Sequence, residues 1–194
     1  MPEPLRRVPP SALIAGWDFS TGSVKALAFD LAGTVVAECR LPTDLHTDGG
    51  VSELSLIQLD GQARASYRGL VARLCQLGRD NDLLAAGMSA THHTAGRVDA
   101  VGNQVRRMIC WNDQTLATYH AEGLKRLGGQ ERAVELTGGP WAVRYSLSHL
   151  VKDEHTLPAG DWASRVVQHG AAAAGYLTGN FDAVSVSASK FPVK

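Results

Sequence analysis

Three short strings hold the residues whose types and spacing suit chemistry. The first, GWDFSTGSVKALAFD, carries Asp18, then Ser20, Thr21, Gly22 and Ser23, then Lys25. Small residues let backbone N–H groups approach an anion, hydroxyls add donors, and a neighbouring carboxylate can hold Mg²⁺ directly or through water. Lys25 can lean toward the same phosphates. The competing reading is a Ser/Gly hairpin turn whose Asp caps its own backbone.

The second string, Ser89-Ala90-Thr91-His92-His93-Thr94, follows the apolar run LLAAGM, so it falls where side chains emerge from a strand end toward a ligand crevice. Adjacent histidines on a strand end are expected to point to opposite sides, which argues against a shared metal. Each could equally be a partly buried, hydrogen-bonded side chain. The third string, RRMICWNDQT, delivers Trp111 at a strand end and then Asn112-Asp113 at the start of a helix. The plain reading is a core Trp and an N-cap Asp. The same trio suits a polyol, because the ring covers C–H surface while amide and carboxylate pair hydroxyls.

The elements that must position these strings follow from periodicity. ALIAGWDF, SVKALAFDL and TVVAECRL alternate as strands around the turn signals Ser20–Ser23 and Ala32-Gly33, which predicts an antiparallel meander. Residues 41–53 show no period and are expected to form a surface loop. Leu56, Leu59, Ala63, Tyr67, Leu70, Leu74 and Leu77 recur at helical spacing and predict one helix face ended by Gly78. A buried strand over LLAAGMSA, a strand over 106–111 and a helix over 112–127 follow. Short helices over 131–137 and 147–153, a strand over 165–168 and an Ala-rich helix over 170–177 complete the chain. The order predicts one α/β domain of the ribonuclease-H-like type, with a mixed central sheet flanked by helices.

Bulk numbers narrow the partners. With 19 basic and 19 acidic side chains and no like-charged run, the 194 residues carry no nucleic-acid or lipid footprint. No stretch reaches the roughly 20 apolar residues that span a bilayer. Cys39, Cys75 and Cys110 lie far apart and odd in number, which reads as buried or half-buried thiols in a reducing, cytoplasmic compartment. Residues 1–10, with four prolines, read as a loose tail ahead of a domain spanning 11–194.

The first string resembles the opening phosphate loop of the FGGY carbohydrate kinases, and GWDFST resembles their xylulokinase members. The second stands where xylulokinases have Ser-Gly-Gln-Met-His-Gly, with His93 on the sugar-contacting His and His92 in place of Met. The third is similar to Ile-Leu-Trp-Asn-Asp-Gln-Arg, with Thr115 in place of Arg and one ion-pairing group fewer. LTGGPWAVRYSLSHL and GYLTGNF resemble later family segments, Tyr145 and His149 standing for an aromatic and a Lys. Gly170-Ala171 and Val184 depart from the family's Lys-Asp and Asp. The resemblance runs from about Leu13 to Ser189.

It implies an actin-like ATPase fold, and transfer of the γ-phosphoryl of ATP, with Mg²⁺, to a sugar or polyol, D-xylulose first, the alternatives being another acceptor such as ribulose or glycerol, or a non-catalytic truncated actin-like module. Ser20, Thr21, Gly22, Ser23 and Lys25 would bind phosphate, Asp18 the metal, and His92, His93, Trp111, Asn112 and Asp113 would line or support the sugar. The family's catalytic base and adenine pocket lie in a C-terminal kinase domain. The expected partners are therefore the small-molecule substrates and either that domain or a second copy, and the chain alone is expected to turn over little.

Overall fold

The computed structural model describes residues 7–181. Val184, Ser189 and most of the expected N-terminal tail lie outside the described residues. β1 (Leu13–Phe19), β2 (Ser23–Phe29) and β3 (Val35–Pro42) form the expected meander. Alternation decides which way they face: Leu13, Ala15, Trp17 and Phe19 point into the core, as do Val24, Ala26 and Ala28 from β2. β6 (Leu83–Ala90) joins β1 in parallel, which gives a four-stranded mixed sheet in the order β3-β2-β1-β6.

α1 (Leu56–Gln76) packs on that sheet. Ser55 caps it by accepting the Gln58 amide at 3.3 Å, and Leu56, Leu59, Ala63, Ser66, Leu70 and Leu74 form its buried face. Tyr67 and Leu77, expected on that face, are exposed. Ser66 takes the inward position instead, and its hydroxyl accepts the buried Trp17 indole N–H at 3.1 Å. Helix and sheet approach closely at Gly69, where a Cβ would lie 2.5 Å from the Cys39 sulfur.

Residues expected as a loop form a hairpin instead, β4 (His46–Asp48) and β5 (Val51–Leu54), turned on Gly49 and Gly50, whose φ angles are +52° and +89°. The hairpin begins a second, wholly antiparallel sheet in the order β4-β5-β8-β7-β9. β7 (Ala95–Val98) was not legible as a strand, because it is four residues long and carries Arg97. All four are nevertheless buried. β8 (Gln104–Ile109) and β9 (Arg165–Gln168) flank it.

α2 (Leu116–Leu127), α3 (Gln130–Thr137) and α4 (Ser146–Thr156) enclose a satellite core of Ala133, Trp141 and Val151. Gly123 lets α2 meet Trp141, since a Cβ there would sit 2.1 Å from the indole ring. α5 (His169–Thr178) returns to pack on α1 and β6.

Two expectations about burial fail. LLAAGMSA is not a buried strand: Leu84, Ala85, Ala86 and Gly87 of β6 are exposed along the sheet edge. Apolar composition shows what a strand can bury, and its neighbours decide whether it does. Cys75 is exposed as well, on the outer face of α1, while Cys39 is half-buried and Cys110 buried.

Candidate functional site

The β1–β2 turn is closed by its own hydroxyls. Ser20 Oγ donates to the Ser23 carbonyl at 2.8 Å and accepts the Ser23 amide at 3.2 Å, while Ser20 N–H reaches the same carbonyl at 3.0 Å. Thr21 and Gly22 at the tip pair through their carbonyls with Thr43. Among the described residues their two amide N–H groups have no acceptor, which leaves them as donors at the end of the turn. Beside the turn, Asp18 is 3.7 Å from Lys25, each side chain about two-fifths exposed, and Ser89 reaches Asp18 from β6 at 3.4 Å.

The β1–β6 pairing sets Asp18 against Ser89 and Phe19 against Ala90, so β6 ends beside the turn. The chain then bends: Thr91 N–H donates to the Phe19 carbonyl, and His93 adopts φ +58°, the only non-glycine positive φ among the described residues. The bend defeats the expectation that the two histidines diverge. His92 Nδ1 and His93 Nε2 lie 3.1 Å apart, and His93 stacks on Tyr145 with centroids 4.7 Å apart. Among the described residues no group of three or more metal-binding side chains gathers there or elsewhere.

Trp111 is not a core residue; it is 48% exposed, with its amide on Thr94 Oγ1 at 3.3 Å. Asn112 is exposed as well, and its Oδ1 accepts the Ser52 hydroxyl at 2.9 Å. Asp113 is different. Its side chain is fully buried, Oδ2 accepts Ser52 N–H at 3.0 Å, and Oδ1 accepts both Thr115 N–H at 2.9 Å and the Thr115 hydroxyl. It caps no helix by the expected route, because α2 begins only at Leu116. Its place is a brace beneath Trp111 and Asn112.

The ion-pairing group expected to be lost at Thr115 has a replacement. Lys152 of α4 donates to Thr115 Oγ1 at 2.9 Å and stands 3.6 Å from Asp113. Sequence reading missed it because no spacing links position 152 to 113. Ser52 and His169 were missed for the same reason, and Thr94 was quoted in the second string without a role. His169 opens α5 with its amide on the Thr94 carbonyl at 2.9 Å and its ring edge toward Phe19. Burial holds its pKa down at about 4, opposed by Asp18. His149, on the buried side of α4, is pushed down to about 3 by burial and by the positive charge of Arg106. Both rings are therefore neutral at pH 7.

The structure thus gathers Asp18, Lys25, the turn 20–23, Ser89 and His169 at one set of strand ends, and His92, His93 and Tyr145 just beyond. Trp111 attaches to this row through Thr94, which also accepts the His169 amide, while Ser52 ties Asn112 and Asp113 together.

No family model matches the chain. A xylulose kinase of Streptomyces rubiginosus is 28% identical over 158 residues, covering 80% of this chain and 31% of that protein. One of Streptomyces coelicolor is 30% identical over 138 residues, covering 70% and 27%. The chain therefore spans less than a third of the length of the curated relatives it matches. Among solved structures, a xylulose kinase from Rhodospirillum rubrum superposes with TM-score 0.72 at 25% identity, covering 87% of this chain and 35% of that one. A gluconate kinase from Lactobacillus acidophilus superposes at 0.70 with 17% identity, over 84% and 32%. The chain is thus a sequence relative of xylulose kinases built on the fold of sugar kinases.

Proposed function

We propose that this chain forms the phosphate-loop and sugar-binding portion of an ATP-dependent kinase whose acceptor is a ketopentose or polyol, D-xylulose first. The observation that carries the reading is the pair of unaccepted amides at Thr21 and Gly22, set beside Asp18 on the same strand ends as His93. Phosphoryl transfer depends mostly on positioning and on offsetting charge. The two amides and Lys25 would cradle phosphate oxygens.

Asp18 fits a water-mediated Mg²⁺ site: its carboxylate is about two-fifths exposed and, among the described residues, engaged by Lys25 and a long Ser89 contact. Bound there, the ion would neutralise charge on the phosphates. Trp111 would cover the C–H face of the sugar, and the Asn112 amide and His93 would pair its hydroxyls. The base that accepts the hydroxyl proton has no candidate among these residues. It belongs in this reading to the companion kinase domain, as does adenine binding, so the chain alone produces no appreciable ADP.

The test is equilibrium binding of D-xylulose, followed by fluorescence of the wild-type chain and of Trp111→Phe. A half-exposed Trp covered by a sugar gives a saturable change that Trp111→Phe loses. No saturable binding of D-xylulose, ribulose, glycerol or gluconate up to about 10 mM, roughly ten times the upper end of ordinary substrate KM values, would remove the sugar assignment.

A further inference from the structure

The Asp113 carboxylate is fully buried next to Lys152, whose own side chain is only 12% exposed. Lys152 makes two contacts there, with Asp113 at 3.6 Å and with Thr115 Oγ1 at 2.9 Å, and Thr115 in turn bonds Asp113 through both its amide and its hydroxyl. Asp113 also holds the Ser52 amide, and the Ser52 hydroxyl holds Asn112. One lysine therefore closes a ring of bonds whose outer members are Asn112 and, by covalent connection, Trp111.

The helix that carries Lys152 reaches the site a second time. Tyr145, the residue preceding α4, stacks on His93 at 4.7 Å. Two turns later Lys152 fixes the opposite flank. α4 is itself held from behind, because Asp153 is clamped between Arg97 at 2.8 Å and Arg106 at 2.6 Å, and Ser148 accepts the Trp141 indole N–H at 3.1 Å. A buried carboxylate left without its cation either takes up a proton or draws in water, and either change loosens the amides it accepts.

We propose that Lys152 is a positioning residue for the Trp111–Asn112 corner. Through Asp113 it sets that corner at a fixed distance from the His93–Tyr145 stack, and it thereby tunes affinity for the hydroxylated acceptor without touching it. The inference rests on the sugar-binding reading for its effect on affinity, but the bracing of Asp113 is measurable without any ligand.

The experiment compares wild type, Lys152→Arg and Lys152→Met in the 194-residue chain. Backbone hydrogen exchange at Ser52 and Thr115 is read without ligand, and D-xylulose affinity by calorimetry. Lys152→Met is expected to speed exchange at those two amides about tenfold or more, with α1 and β1 unchanged. It should weaken sugar binding about tenfold, and Lys152→Arg should restore most of both. Unchanged exchange at the two amides, or an acceleration spread evenly over the protein, overturns the proposal.

If wild type binds no sugar while the two amides still respond, the bracing stands and the sugar reading falls. If Lys152→Met does not fold, Asp113→Asn/Lys152→Met decides, since the neutral amide needs no cation. Recovery of folding by the double variant supports the pair, and its failure to recover overturns it.

Discussion

Asp153 has no exposed side-chain surface and lies between two guanidinium groups, Arg97 at 4% exposure and Arg106 at 11%. Arg97 also donates to the Ser164 carbonyl at 3.0 Å and lies over the Trp162 ring, so the cluster ties α4, β7, β8 and the segment before β9 together. Burial, and less so the neighbouring Arg97 charge, pull the Arg106 pKa below its ordinary value, and Asp153 offsets only part of this. Asp153→Ala leaves two cations in the interior with no counter-charge. Breaking a buried pair on one side costs about 3–5 kcal/mol, which for a chain of this size lowers the melting temperature by about 6–20 °C. Urea unfolding followed by far-UV circular dichroism measures the loss, and Asp153→Asn, which keeps the shape but not the charge, should fall between. Replacing all three residues by apolar ones, Arg97→Met, Arg106→Met and Asp153→Leu, should recover at least half of it, because this cluster no longer holds a charge. An Asp153→Ala variant within about 1 kcal/mol of wild type would refute the assignment of the cluster as a load on this fold.

Acid should destabilise the chain well before carboxylates titrate. His149 and His169 are held neutral in the folded state, with pKa values of about 3 and about 4, but take protons near 6.5 when unfolded, so stability is full above 6.5 and falls as pH drops toward 4. The slope is about 2.7 kcal/mol per pH unit for the two together; His149→Gln should roughly halve it in pH-dependent urea titrations. Gly123→Ala drives a methyl to 2.1 Å from Trp141 and should cost about 1–3 kcal/mol, with Trp141→Leu relieving part of it in the same background. Ser66→Ala strands the buried Trp17 indole N–H and should cost about 1–3 kcal/mol by the same assay. In a complete kinase, Asp18→Ala should abolish coupled ADP release while leaving the melting curve in place, because Asp18 is half-exposed and bears little of the fold.

The meander, α1 and most later elements were legible because each is long enough for its period to repeat. The hairpin at 46–54 and the four-residue β7 were not: two strands of three and four residues cannot show alternation, and pairing across the sheet supplies what propensity lacks. At the site, the three strings marked the right strand ends, and the juxtaposition of side chains was hidden. His92 and His93 meet because His93 takes a left-handed backbone turn that no spacing rule announces. Asp113 was read for hydroxyls and is found in an inward network, because Ser52 and Lys152 come from elements 61 and 39 positions away in sequence.

β6 carries one more consequence. Its eight residues include no charge, no proline and no bulky polar group, yet four in a row are exposed at the edge of the sheet. Natural sheets usually blunt such a margin with lysine or a kink. Among the described residues no strand pairs with this margin, so its backbone groups are open to any strand brought alongside.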